Sequence, residues 1–148
     1  MSAADGHADP VRVVLGVVAS LSRVLSSEQR RPFEGRVLTA SQMSALFFLA
    51  RTPSGLTPSR LAELLAVSGG AVTQLVDTLR TEGHVDIRVN PDDARSRIIV
   101  LSHAARDEVE HCEFAIAERL RPRFAALSPA ELTTLAGLMN RITMETEK

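Results

Sequence analysis

The sequence has few of the residues that cross-link a fold. Its 148 residues include one cysteine, Cys112, so an internal disulfide and any multi-cysteine zinc or iron–sulfur site are excluded. This low cysteine content is typical of a reducing compartment, and we expect a cytoplasmic protein. Tryptophan and tyrosine are absent, and the aromatic residues are five phenylalanines. Stability must therefore come from an aliphatic core, which a chain of this length can bury by itself.

The chain also lacks an excess of charge of either sign. There are 17 basic and 18 acidic residues, the formal net charge is −1, and Lys148 is the one lysine. This balance argues against a protein that coats nucleic acid nonspecifically. It is compatible with a sequence-specific binder, because the basic residues of such a protein need only cluster in space.

Membrane, catalytic and cofactor signals are missing. The most apolar window, Val11 to Leu25, is interrupted by Arg12 and Arg23, so no unbroken apolar run reaches the roughly 18 residues of a membrane helix. There is no glycine-rich phosphate loop and no Gly-x-Ser-x-Gly elbow. We therefore expect no membrane partner, no cofactor and no enzyme activity.

Capping and turn signals predict a mainly α fold with one small β-hairpin. The hairpin is predicted over Val85 to Val89 and Arg97 to Leu101, around a tip rich in turn-forming residues. Six helices are predicted to follow residues that favour the N-cap position: Asp9, Thr39, Thr57, Ser68, Ser102 and Ser128.

The two ends of the chain carry more apolar surface than a small domain can cover. The first helix is predicted to run to about Arg31, and the last helix has five large apolar residues predicted to lie inside, from Leu132 to Ile142. A symmetric homodimer would bury this excess. The predicted organisation is a flexible tail (1–8), an N-terminal dimerisation helix (9–36), a central domain that includes the hairpin (37–102) and C-terminal dimerisation helices (103–148).

The segment from Pro58 to Leu79 has the pattern of a helix-turn-helix. The small residue Ala62 permits close helix crossing, and apolar residues such as Leu61 and Val72 would lock the two helices together. The turn position where such motifs usually have glycine is Ala66, which would carry about 1 kcal/mol of strain in a left-handed conformation. With the hairpin directly after it, this segment predicts a winged helix-turn-helix.

In this fold the second helix enters the major groove and the wing lies near a minor groove. The alternative for each predicted contact residue is simple solvation, or a surface ion pair between Asp93 and Arg95. The predicted DNA contacts are Ser68, Gly69, Gly70, Thr73 and Gln74 on the second helix, Arg95 and Arg97 on the wing, and Arg60 and Arg88 for phosphates.

The sequence resembles the MarR family of bacterial transcriptional regulators over nearly its whole length. The resemblance is carried by the helix-turn-helix from Leu61 to Leu79, Glu82-Gly83 before the first wing strand, and Asp93-Ala94-Arg95, which matches the family's D-x-R wing signature. It departs from the family at Ala94, Gln74, Gly69-Gly70 and His84, where the family more often has other residue types.

The resemblance implies a homodimer that binds a pseudo-palindromic double-stranded DNA operator, often as a repressor that responds to a small-molecule effector. It also implies an effector pocket between the dimer helices and the winged domain, for which Met43 and Phe47 are candidates; the same two residues are explained equally well as core.

Two other hypotheses remain open at this stage. The first is a dimeric winged-helix module that binds protein without specific DNA binding. It is supported by the charge of residues 53–101, which contain five arginines and six acidic residues. The second is a sensor at Cys112, although its place on an apolar stripe favours an inert buried thiol. His111 with Asp107 and Glu108 is interpreted as a solvated face, so we predict no metal site.

Overall fold

A computed structural model describes residues 9–29 and 37–144 of the chain, which divides into two compact units, residues 1–113 and 114–148. The predicted tail (1–8) and the end of the predicted first helix lie outside the described residues. The described elements are α1 (Pro10–Gln29), α2 (Ala40–Arg51), α3 (Pro58–Leu65), α4 (Gly69–Thr81), β1 (Val85–Val89), β2 (Arg97–Leu101), α5 (His103–Leu120), a 3-10 turn (Arg121–Phe124) and α6 (Pro129–Met144).

The helix starts predicted from capping residues are confirmed. The Thr39 hydroxyl accepts the Gln42 N–H at 3.2 Å, and the Gln42 side chain accepts the Thr39 N–H at 2.8 Å. Thr57 and Ser68 cap α3 and α4 in the same way, through their hydroxyl oxygens. Each such cap satisfies an N–H that the helix itself leaves without a partner, which is worth about 1 kcal/mol.

The core of unit 1 is aliphatic. Leu46, Leu61 and Leu79 are fully buried, and Ile99 and Val109 join them from β2 and α5. Burial of each such side chain contributes roughly 1.5–3 kcal/mol. This core holds α2, α3, α4 and the hairpin as one body, and so determines which faces of α4 and of the wing reach solvent.

The predicted β-hairpin is confirmed, and its two strands pair antiparallel with Val85 opposite Leu101 and Val89 opposite Arg97. Beyond this pair, Leu56 forms an isolated bridge with Ile99, through N–H···O bonds of 3.0 and 2.8 Å. The loop before α3 is thereby hydrogen-bonded to β2, the second strand of the wing. The sequence pattern did not predict this additional pairing of Leu56 with Ile99.

Helix α1 is uncovered within unit 1. Most of its large apolar side chains are exposed, including Val11 at 63% and Leu15 at 62%. By length and composition alone, Pro10–Glu28 also suffices to cross a membrane, with mean hydropathy 1.3, which is weak evidence for a span. Contiguous exposed apolar surface of this kind is typical of an interaction site.

Helix α6 of unit 2 begins with a well-formed cap, but its apolar face is exposed. The Ser128 N–H and hydroxyl both donate to the Glu131 carboxylate, at 2.7 and 2.8 Å, and these bonds lower the pKa of Glu131. The prediction that the apolar residues of α6 lie inside is wrong for the chain by itself, because Leu135, Leu138 and Ile142 are exposed. A unit of this length is too short to enclose that face.

Candidate nucleic-acid interface

The turn between α3 and α4 places the second helix at the surface of unit 1. Ala66, which stands where such motifs usually have glycine, adopts the left-handed conformation with φ 53° and ψ 43°. Its N–H and that of Val67 are bonded to carbonyls of the last turn of α3, which closes that helix. Val72 and Leu79 of α4 are fully buried in the core of unit 1, while Leu75 is only half-buried. The remaining face of α4 is directed to solvent.

The start of α4 is open. The Ser68 hydroxyl accepts the Ala71 N–H at 3.2 Å, and a β-carbon added at Gly69 or Gly70 would meet nothing within 4 Å. The first N–H groups of a helix have no partner inside it, and they carry a partial positive charge. The predicted contact residues Ser68, Gly69, Gly70, Thr73 and Gln74 are all exposed here. This end of α4 can therefore approach a phosphate or a base edge closely.

The wing tip is shaped by its own polar side chains. Asn90 Nδ2 donates to Ser96 Oγ at 2.8 Å, and Asn90 Oδ1 accepts the Asp92 backbone N–H at 3.0 Å. Asp93 Oδ1 accepts the Arg95 backbone N–H at 3.0 Å. Asp93 thus bends the backbone of the tip, an Asx-type turn, and its hydrogen bond to Arg95 is to the main chain rather than to the guanidinium.

The predicted arginine contacts do not share one environment. Arg95 and Arg97 are exposed at the wing, and Arg88 is exposed on β1 opposite Ile98. Arg60, in contrast, forms an ion pair with Glu63 at 3.0 Å on the surface of α3. Such an exposed pair is worth at most about 1 kcal/mol, so Arg60 could exchange Glu63 for a phosphate.

One residue at the site was noted in the sequence only as a departure from the family pattern. His84 is 2% exposed, between the end of α4 and β1, and its Nε2 lies 3.6 Å from a Glu82 carboxylate oxygen. The backbone N–H of His84 donates to the Leu79 carbonyl, and the backbone carbonyl of His84 accepts the Ser102 N–H. The residue therefore ties the end of α4 to both ends of the hairpin, a role that a sequence pattern does not reveal.

Other candidate sites from the sequence receive little support. Met43 and Phe47 are 3% and 7% exposed and belong to the core of unit 1. Cys112 is half-buried rather than fully buried, with its sulfur 4.0 Å from a Glu108 carboxylate oxygen. Among the described residues, no group of three or more His, Cys, Asp and Glu side chains is placed to hold a metal ion.

The exposed helix at the end of a helix-turn-helix and the hairpin beside it define unit 1 as a winged helix-turn-helix domain. A family model described as the MarR family matches residues 38–96. The chain is 28% identical over 106 residues to the multiple antibiotic resistance protein MarR of Escherichia coli, across 71% of this chain and 73% of that protein. Residues 38–96 are therefore similar to the MarR family of transcriptional regulators, and unit 1 has a winged helix-turn-helix fold.

Solved structures agree with this assignment. Wild-type MarR of Escherichia coli, in its apo form, superposes with a TM-score of 0.64 at 25% identity, over 90% of this chain and 96% of that one. A mutant of MepR from a multidrug-resistant Staphylococcus aureus isolate gives a TM-score of 0.74 at 18% identity, over 95% and 99% of the two chains. The second likeness shows the shared fold.

Proposed function

We propose that this protein is a homodimeric repressor of transcription that binds a pseudo-palindromic operator in duplex DNA and responds to a small-molecule effector. In each protomer α4 would lie in the major groove and the wing would follow the neighbouring minor groove. Ser68, Gly69, Gly70, Thr73 and Gln74 would face bases and phosphates, with Arg88, Arg95 and Arg97 at the backbone or in the minor groove. Such a protein would act in the cytoplasm.

One observation carries the proposal. The open start of α4 and the two wing arginines are exposed on the same unit, in a chain similar to a family of transcription regulators. A helix that served only to close the core would have no need for consecutive glycines at an uncovered N-terminus. The exposed N–H groups there suit phosphate oxygens, which supports DNA as the ligand despite the modest number of arginines.

The dimer part of the proposal rests on the uncovered helices at both ends. At about 100° per residue, the apolar side chains of α1 span an arc of roughly 200°, and Arg12, Ser20 and Arg23 lie on the rest. A second copy covers such a face and leaves the polar side in water. A bilayer would have to accept the two arginines, at a cost of about 2.5–3.5 kcal/mol each near its centre.

The effector part rests on the fold relatives. Staphylococcus aureus MepR has been solved with ethidium bromide bound. In this chain the predicted contacts Met43 and Phe47 face the core from α2, so an effector there would have to enter beside that helix and displace packed side chains. Such a displacement would move α2 relative to α3 and α4, and so alter the surface that meets DNA.

A gel-shift experiment tests the proposal directly. The purified protein is titrated into duplex DNA from directly upstream of its own gene, at low and at moderate salt. We expect a discrete complex whose affinity falls as salt rises, because phosphate contacts release counterions. An absence of binding at both salt concentrations would favour the second hypothesis, a protein-interaction module, which the six acidic residues among 53–101 support.

Replacing Arg95 by alanine is expected to weaken binding to all duplex sequences by similar factors. Arg95 is exposed at the wing tip, and a dimer carries two copies, so the slope of log affinity against log salt should become shallower by about 2. Arg123→Ala removes the same charge from an exposed turn in unit 2 and should leave the slope unchanged. Equal slopes for the wild type and Arg95→Ala would remove Arg95 from the interface.

A further inference from the structure

The exposed face of α4 has no cationic side chain where a recognition helix meets bases. Over its first three turns the exposed side chains are those of Ala71, Thr73, Gln74, Asp77 and Thr78. The commonest specific contact to guanine is an arginine or lysine that donates to O6 and N7. The first cation on α4 is Arg80 in its last turn, about 10 Å along the axis from Thr73. Arg80 is placed to contact phosphates beyond the bases that face the start of the helix.

Thr73 presents a methyl group. Its hydroxyl donates to the Gly69 carbonyl at 3.0 Å, so its proton is already committed to the helix backbone. The outward chemistry of this side chain is then its methyl group and an acceptor lone pair. Ala71, two residues earlier, adds a second exposed methyl. Methyl groups of alanine and threonine are the usual partners of the thymine C5-methyl in the major groove.

Gln74 presents a free amide. Its side chain is exposed and forms no hydrogen bond with the described residues, although its backbone carbonyl accepts the Thr78 hydroxyl at 3.0 Å. A primary amide offers one donor and one acceptor side by side. These match N7 and the N6 amino group of adenine, a pairing that discriminates against other bases by roughly 10- to 100-fold.

We propose that the half-site of this protein has an A·T core, in which Gln74 contacts an adenine and the methyl groups of Thr73 and Ala71 contact neighbouring thymines. The proposal rests on the proposed DNA-binding function and adds the class of sequence to it. Asp77, one turn beyond Thr73 on the same face, has no proton to donate to guanine O6 or N7, and its carboxylate can accept from the amino group of adenine or of cytosine. In this proposal sequence specificity depends on the Gln74 amide and the two methyl groups, while the start of α4 and the wing provide affinity that does not depend on sequence.

The test begins with selection of bound duplexes from a library with 24 randomised base pairs. We expect two inverted half-sites with A·T pairs at their centres. In the selected site, one central adenine is then replaced by 7-deazaadenine, which lacks the N7 acceptor, and central thymines by uracil, which lacks the methyl. Each replacement should weaken wild-type binding by about tenfold.

Variants assign each contact to a residue. Gln74→Ala should bind the selected site about tenfold more weakly and should no longer distinguish adenine from 7-deazaadenine. Thr73→Ser keeps the hydroxyl bond and removes the methyl, so it should lose the preference for thymine over uracil at the position that Thr73 contacts and keep it at the position that Ala71 contacts. Thr81→Ser makes the same change in the last turn, where the hydroxyl also bonds the backbone at 2.8 Å, and should retain both preferences.

The outcomes separate the two proposals. Selected half-sites with G·C cores, or a Gln74→Ala variant that still distinguishes 7-deazaadenine, would overturn the A·T assignment and leave DNA binding intact. Failure to enrich any sequence, together with no duplex binding at low salt, would overturn the proposed function and this inference with it. Circular dichroism of each variant would verify that α4 remains helical.

Discussion

Val11→Glu combined with Leu15→Glu is expected to convert the proposed dimer to monomers. Both side chains are more than 60% exposed in the protomer, so the substitution should not disturb the fold of unit 1. In a two-fold interface each change occurs twice, and four carboxylates would be buried without partners. An unpaired buried charge costs several kcal/mol, so the dimer dissociation constant should rise by at least about a hundredfold.

Analytical ultracentrifugation over a range of protein concentrations would measure this shift. The matched control is Ser20→Glu with Ser27→Glu, which adds the same charge on the polar side of α1, where both serines are exposed. The control should remain dimeric. If the Val11/Leu15 variant sediments as the wild type does, α1 is not covered by a second copy and the dimer proposal loses its main support.

The same variant should also lose most of its operator affinity. A monomer presents one α4 and one wing to the DNA, and it gives up the gain that two linked half-site contacts provide. Binding to a single isolated half-site should change little, because no residue of the proposed DNA interface is altered. This pair of measurements separates loss of assembly from damage to the DNA-binding surface.

Local chemistry explains why so much of this fold could be predicted from sequence. The bounds of α3, α4 and the hairpin depend on Thr57-Pro58, on Ser68 and on the turn formers after Val89, all of which act within a few residues. The left-handed conformation of Ala66 is consistent with its place in the turn, where such motifs usually have glycine.

Contacts between distant segments could not be predicted in this way. The pairing of Leu56 with Ile99 joins residues more than 40 positions apart, and no local pattern marks it. The burial of His84 also follows from the packing of α4 against the hairpin. The predicted contact residues on α4 and the wing are exposed, but their contact with DNA stays a prediction. The role of Asp93 was not predicted, because its hydrogen bond goes to the Arg95 backbone.

Gly55→Ala, next to the Leu56–Ile99 pairing, is expected to cause a severe loss of stability. Gly55 has φ +89°, a conformation that costs an L-residue roughly 1–2 kcal/mol. A β-carbon there would lie 2.8 Å from Val100 Cγ1 and 3.0 Å from the Ile99 carbonyl oxygen. Because the second contact is with backbone, rotamer changes cannot relieve it, and overpacking adds about 1–3 kcal/mol. We expect the free energy of unfolding to fall by about 2–5 kcal/mol.

Urea denaturation at one protein concentration would measure the loss, since the stability of a dimer depends on concentration. Gly16→Ala is the matched control: it adds the same methyl in the middle of α1, where nothing lies within 4 Å, and should raise stability by about 0.5–1 kcal/mol. A Gly55→Ala protein as stable as the wild type would mean that the loop does not press against β2. The wing would then be held by the β1–β2 pairing and by the packing around His84, and its position beside α4 would not depend on the approach of Gly55 to Val100.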